Sequence, residues 1–80
     1  MKSFNVLYFA SLREQRGVSA ETIESDAASP RFLYNELAAL HQFRLAPERI
    51  KVIVNEQFVD WDSPLCSGDS VVFVPPVAGG

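Results

Sequence analysis

Eighty residues, 48 % of them apolar, suffice for one small domain near the size at which burial only just offsets chain entropy, too short for a second core or a large interior pocket. Ten acidic and seven scattered basic residues leave a formal net charge of −3, which argues against nucleic acid or an anionic membrane as partner, because both reward clustered Lys and Arg. No run approaches the roughly 20 apolar residues of a membrane-spanning helix, and the Met-Lys-Ser opening leads into no cleavable signal pattern, so the chain is expected to be cytoplasmic.

Residues 4–10 are rich in aromatic and β-branched side chains and read as a first strand. Ser11 opens a short charged stretch that makes a single helical turn before Gly17 closes it. Residues 21–24, Glu-Thr-Ile-Glu, alternate polar and apolar and form a second, short strand. Ser29 then acts as N-cap, and Pro30 takes the first helical position, where a missing N–H costs nothing. Leu33, Leu37 and Leu40 recur at i, i+4 and i+7 as the apolar stripe of a helix over residues 30–43, and Ala38 and Ala39 raise its propensity. Pro47 stops any continuation. Residues 50–54 form a strand, Asn55-Glu56 a turn and Gln57–Val59 a short strand; Ser67-Gly68-Asp69 then turns the chain into the last strand, Ser70–Val74.

The order strand, strand, helix, strand, short strand, strand predicts an α+β fold, with one main helix packed on one face of a sheet of about five strands. The other face must meet water or a partner. Strand side chains alternate between faces, so polar residues mark the outer side. Asn5 puts Phe4, Val6 and Tyr8 inside and Leu7 and Phe9 outside. Lys51 and Asn55 put Ile50, Val52 and Val54 under the helix and turn Ile53 outward. Ser70 puts Val71 and Phe73 inside and Val72 and Val74 outside. Joined by Phe58, the outward residues Leu7, Phe9, Ile53, Val72 and Val74 form a contiguous apolar surface of the kind that marks a docking site.

Chemistry within the folded body is sparse. His41 has no second histidine or carboxylate at a metal-ligand spacing and is read as solvated, so no metal site is expected. Cys66, the only cysteine, excludes an internal disulfide and a cysteine-based metal cluster. Nothing suggests a Ser-His-Asp or Cys-His arrangement. Asp60, Asp62 and Asp69 lie in turn-rich sequence as solvated or turn-capping groups, and Trp61 reads as a lid packed over the core. What remains is the end of the chain: Pro75 and Pro76, then Val77, Ala78 and the pair Gly79-Gly80. Proline lacks an N–H and favours an extended path, so the pair is expected to end the sheet and hold residues 75–80 away from the body as a tail. Those six residues span about 20 Å when extended. Two side-chain-free glycines would present the Gly80 carboxylate on a tip narrow enough to enter a channel in another protein.

Residues 54–80, VNEQFVDWDSPLCSGDSVVFVPPVAGG, and residues 6–14, VLYFASLRE, resemble the small-subunit family of molybdopterin synthase. Pro64-Leu65 followed by Gly68-Asp69, and above all the Pro-Pro-Val-Ala-Gly-Gly ending, carry the resemblance. The family usually has Ser or Thr where Ala78 stands, a polar or charged residue at Cys66, and another hydrophobic residue at Trp61. The resemblance implies a ubiquitin-like β-grasp sulfur carrier without catalytic residues of its own. It implies that an E1-like activating enzyme adenylates the Gly80 carboxylate with ATP. A sulfur donor protein then converts the acyl-adenylate to a thiocarboxylate. The tail next inserts into the large synthase subunit, in a heterotetramer of two small and two large subunits, and sulfur passes to cyclic pyranopterin monophosphate in molybdenum cofactor biosynthesis. No cofactor is expected to be bound stably by this chain.

Three other readings share these features. A thiamine-pathway sulfur carrier has the same fold and Gly-Gly end but is typically shorter and lacks the Pro-Pro step. A ubiquitin-like modifier would form isopeptide bonds to target lysines. A plain interaction module would use the apolar face and have no need of Gly80.

Overall fold

The computed structural model describes residues 1–76. In chain order it contains β1 (Lys2–Tyr8), α1 (Ala10–Arg16), β2 (Ala20–Ser25), α2 (Pro30–His41), a 3-10 turn (Pro47–Arg49), β3 (Lys51–Val54), β4 (Gln57–Val59) and β5 (Ser70–Val74). β1 begins earlier than expected and stops at Tyr8, because the chain turns into α1 at Phe9: the Phe9 carbonyl accepts from the Leu12 and Arg13 N–H groups at 3.1 and 3.4 Å. Gly17 closes α1 from the left-handed region (φ 89°), its N–H donating to the Arg13 carbonyl. Glycine reaches that conformation without the Cβ clash that other residues meet.

The strands form one mixed sheet in the order β2-β1-β5-β3-β4. β1 and β5 are parallel, whereas β1–β2, β3–β4 and β3–β5 are antiparallel. The two ends of the described chain thus meet at the centre of the sheet, and α2 lies in the connection between the paired halves. This is the ubiquitin-like β-grasp that the resemblance implies. Asn55 and Glu56 both adopt positive φ (50° and 72°), the geometry of a tight hairpin turn whose twist suits the flanking strands. The Asn55 side chain ties that turn to β5: its amide donates to Asp69 Oδ1 at 2.9 Å, and its oxygen accepts from the Ser70 N–H at 3.0 Å.

The core lies between α2 and the inner sheet face. Phe4, Val6, Tyr8, Val71 and Phe73 are fully buried, with Val52 and Ile50 nearly so, while Val54 is half-buried at its margin. Ser29 caps α2, accepting from the Phe32 N–H at 3.5 Å, and Pro30 occupies the first turn. Trp61 does close the core as a lid: its ring stacks on Phe73 at 5.9 Å and meets Tyr34 edge-on at 5.5 Å, and its indole N–H donates to the Ile50 carbonyl at 3.2 Å.

Two expectations for α2 need correction. Leu40 does not face the core and is 73 % exposed. The buried stripe runs through Leu33, Tyr34 and Leu37, so the large Tyr34 ring turns the helix and carries Leu40 past the edge of the contact. The helix also ends at His41 rather than residue 43, because Gln42 takes a left-handed conformation (φ 57°). That reversal lets Phe43, not Leu40, fill the space beside Tyr8 and Tyr34, with ring centroids 5.7 and 5.9 Å away.

Candidate functional site: the open sheet face and the tail exit

Sheet register brings the outward residues together. Leu7 of β1 pairs with Val72 of β5, Val72 with Ile53 of β3, and Ile53 with Phe58 of β4. Directly opposed residues share a face, so Leu7, Val72, Ile53 and Phe58 make one apolar row across four strands. No helix among the described residues packs on that face. The inner three are half-buried by their sheet neighbours, whereas Phe58 on the edge strand is 72 % exposed. Val74 lies two residues beyond Val72, opposite Lys51, and extends the row toward the end of β5.

That end leads into Pro75 and Pro76. β1 and β5 run parallel with Tyr8 opposite Phe73, so Phe9 and Val74 emerge at the same end of the sheet. Phe9 is 48 % exposed. Pro75 does not project as expected; it is buried, and Pro76 is the first exposed residue after β5. The two prolines therefore differ: Pro75 is buried and Pro76 is exposed. Five residues, as from 76 to 80, span at most about 18 Å. Val77, Ala78, Gly79 and Gly80, which carry the expected tail chemistry, lie outside the described residues.

Behind Phe9 sits a polar cluster that the strand and helix periodicities do not single out. The Tyr8 hydroxyl donates to Glu21 Oε2 at 2.6 Å, and Arg16 grips the same carboxylate with Nε on Oε2 at 2.8 Å and Nη2 on Oε1 at 2.7 Å. The ion pair is well shielded, with side-chain exposures of 27 % for Arg16 and 17 % for Glu21. The Arg16 hydrogen bonds hold the Glu21 carboxyl below its ordinary range against the opposing effect of burial. Burial, reinforced by the Glu21 carboxylate, pushes the Tyr8 hydroxyl far above its ordinary value, so it stays a hydrogen-bond donor. The sequence signal for this cluster is slight: opposite charges on either side of the Gly17 turn.

Other chemistry is thin. Cys66 is exposed in a turn where its N–H donates to Asp69 Oδ2 at 2.8 Å, so Asp69 caps that turn. Asp62 forms an exposed ion pair with Arg31. His41 is half-buried beside Phe43. Among the described residues, no three His, Cys, Asp or Glu side chains are placed to hold a metal ion, and no helix is long and apolar enough to cross a membrane.

Comparison with known proteins agrees with that geometry. The ThiS family model matches residues 6–80. The molybdopterin synthase sulfur carrier subunit of Escherichia coli is 40 % identical over 78 residues, covering 94 % of this chain and 96 % of that protein. The structure of a putative molybdopterin converting factor subunit 1 from Pyrococcus furiosus superposes with a TM-score of 0.78 at 32 % identity, covering 96 % of this chain and 100 % of that one. A chain from the complex of subunits 1 and 2 of the molybdopterin-converting factor of Helicobacter pylori shares the fold, with a TM-score of 0.68 at 23 % identity and coverage of 98 % and 99 %. By family match and near full-length similarity, the chain belongs to the ThiS family and, within it, groups with the sulfur carrier subunits of molybdopterin synthase.

Proposed function

We propose that this chain delivers sulfur to molybdopterin formation from a thiocarboxylate at Gly80. The observation that carries the reading is the 40 % identity to the Escherichia coli sulfur carrier subunit over almost the whole of both chains. A carboxylate is a poor electrophile, because its charge repels nucleophiles and it lacks a leaving group, so activation comes first. On an E1-like enzyme, a Gly80 carboxylate oxygen attacks the α-phosphorus of ATP and pyrophosphate leaves. Hydrosulfide supplied by a donor protein then adds at the acyl carbon and AMP departs, so that a carbon–sulfur bond replaces the carbon–oxygen bond to AMP and a free thiocarboxylate results. In the large synthase subunit, which supplies the catalytic groups, the thiocarboxylate sulfur bonds to a carbon of cyclic pyranopterin monophosphate as an oxygen substituent leaves that carbon; water then hydrolyses the resulting thioester, so that the sulfur stays on the pterin and Gly80 regains its carboxylate.

In this reading the apolar row is the surface that holds the large subunit while residues 76–80 enter its active site. Ordering five residues costs about 1–2 kcal/mol each, or on the order of 5–10 kcal/mol for the arm. Full burial of an aliphatic or aromatic side chain stabilises by about 1.5–3 kcal/mol. Leu7, Phe9, Ile53, Phe58, Val72 and Val74, most of them already half covered, together offset that cost, and backbone hydrogen bonds to the arm add to the balance. Glycine at positions 79 and 80 keeps the arm thin enough for a narrow channel.

The test is intact mass spectrometry of the full chain after incubation with ATP, the activating enzyme and a sulfur source. The expected product is heavier by the difference between one sulfur and one oxygen atom. An unchanged mass under conditions that load the Escherichia coli carrier would overturn the reading.

A further inference from the structure

We propose that Glu21 is a positioning residue for the partner-binding face: by holding Tyr8 and Arg16 at once, its carboxylate fixes α1 and with it the direction of Phe9. The inference rests on the reading that the open sheet face holds the large subunit. Phe9 differs from the rest of that face in its support. Leu7, Val72 and Ile53 are held by strand pairing on both sides. Phe9 lies beyond the last residue of β1, and its backbone belongs to the first turn of α1 through the bonds its carbonyl accepts from Leu12 and Arg13.

That helix is weakly self-supporting. It has seven residues, buries only Leu12, and its N-cap offers no side-chain hydrogen bond. Helices this short do not persist without tertiary contacts. Ala10, directly after Phe9, sits at φ 52°, a left-handed conformation that is strained for a residue with a Cβ. Such a conformation survives only where the surroundings impose it.

Glu21 supplies a constraint at both ends of the segment. On one side the Tyr8 hydroxyl is anchored, with a fully buried ring and a backbone directly before Phe9. On the other, the Arg16 fork ties the last turn of α1 to β2 through two hydrogen bonds of 2.7 and 2.8 Å. A bidentate guanidinium–carboxylate pair fixes orientation as well as distance, and its partial burial shields it from competing water and salt. The segment from Phe9 to Arg16 is therefore clamped like a bracket, and Phe9 projects from its corner beside the tail exit.

The test is a double-mutant cycle on the full chain, with affinity for the large subunit measured by titration calorimetry. Phe9→Ala should weaken binding about tenfold, as for a buried aromatic at an interface. Glu21→Gln should weaken it about fivefold, and Tyr8→Phe, which removes a single hydroxyl and keeps the ring, about threefold. In the Phe9→Ala background both losses should vanish, because the positioned group is gone. A merely structural role would lower melting temperature and leave the affinity losses equal in both backgrounds; that result overturns the proposal. Unchanged affinity in Glu21→Gln and Tyr8→Phe, with Phe9→Ala weakened, overturns the positioning role and leaves the docking reading standing. Unchanged affinity in Phe9→Ala overturns both. Should Glu21→Gln fail to fold, the Tyr8→Phe arm decides alone.

Discussion

Val72 of β5 stands directly opposite Ile53 of β3 on the face that α2 leaves open. The pair forms the middle of the row that runs from Leu7 to Phe58. Val72→Arg puts a guanidinium where a docked partner would have to desolvate it, and the loss of one apolar contact alone is about 1.5–3 kcal/mol. Affinity for the large subunit should fall at least tenfold by calorimetry. The melting temperature should change little, since Val72 points away from the core. Wild-type affinity in this variant would remove the row from the interface.

Deleting Gly80, or making Gly80→Ala, should leave thermal unfolding unchanged, because the core described above lies within residues 1–76. Thiocarboxylate formation and molybdopterin synthesis should both be lost. Intact mass and a coupled turnover assay check this, and normal values for either variant would show that the terminal glycine is dispensable.

Trp61 bears on Phe73 and Tyr34 and donates to the Ile50 carbonyl. Trp61→Ala opens the core beside β4 and should cost about 3 kcal/mol. For a domain of this length that corresponds to a fall in melting temperature on the order of 15 °C. Trp61→Phe should lose less, keeping the stacking and giving up the hydrogen bond. Thermal melts followed by circular dichroism would contradict this ranking if both variants unfolded together with wild type.

The Glu21 carboxyl is lowered from its ordinary 4.5, first by the Arg16 hydrogen bonds. The unfolded chain therefore takes up this proton before the folded one does. The stabilisation is fully present above the unfolded value and is lost as pH falls through the lowered folded value. Wild type should melt higher than Glu21→Gln at neutral pH, and the gap should narrow as pH falls below 4.5 and close once it has passed through the lowered folded value. The exposed Asp62, lowered in the same way by Arg31, is common to both proteins and cancels from the comparison. A gap independent of pH would mean that the Glu21 charge contributes nothing to the clamp.

Much of the body was legible in advance because the relevant physics is local. Alternation along a strand is set by backbone geometry, so Asn5, Lys51 and Ser70 were enough to place Phe4, Val6, Tyr8, Val52, Val71 and Phe73 inside. Ser29-Pro30 and Gly17 marked helix ends through capping and backbone freedom that involve only a few neighbouring residues. Leu40 was misplaced because a three-residue spacing cannot reveal that Tyr34, one position along, offers the larger group to bury.

The amino-acid order by itself determined which strand residues face inward and where α2 begins. Only the tertiary structure decided that Leu7, Val72, Ile53 and Phe58 stand in one row, that Pro75 is buried while Pro76 is exposed, and that one carboxylate grips both Tyr8 and Arg16. The first set follows from dihedral sterics and periodicity, which act over a few residues. The second depends on strand order and register, which are settled by burying the whole core at once and bring together residues dozens of positions apart.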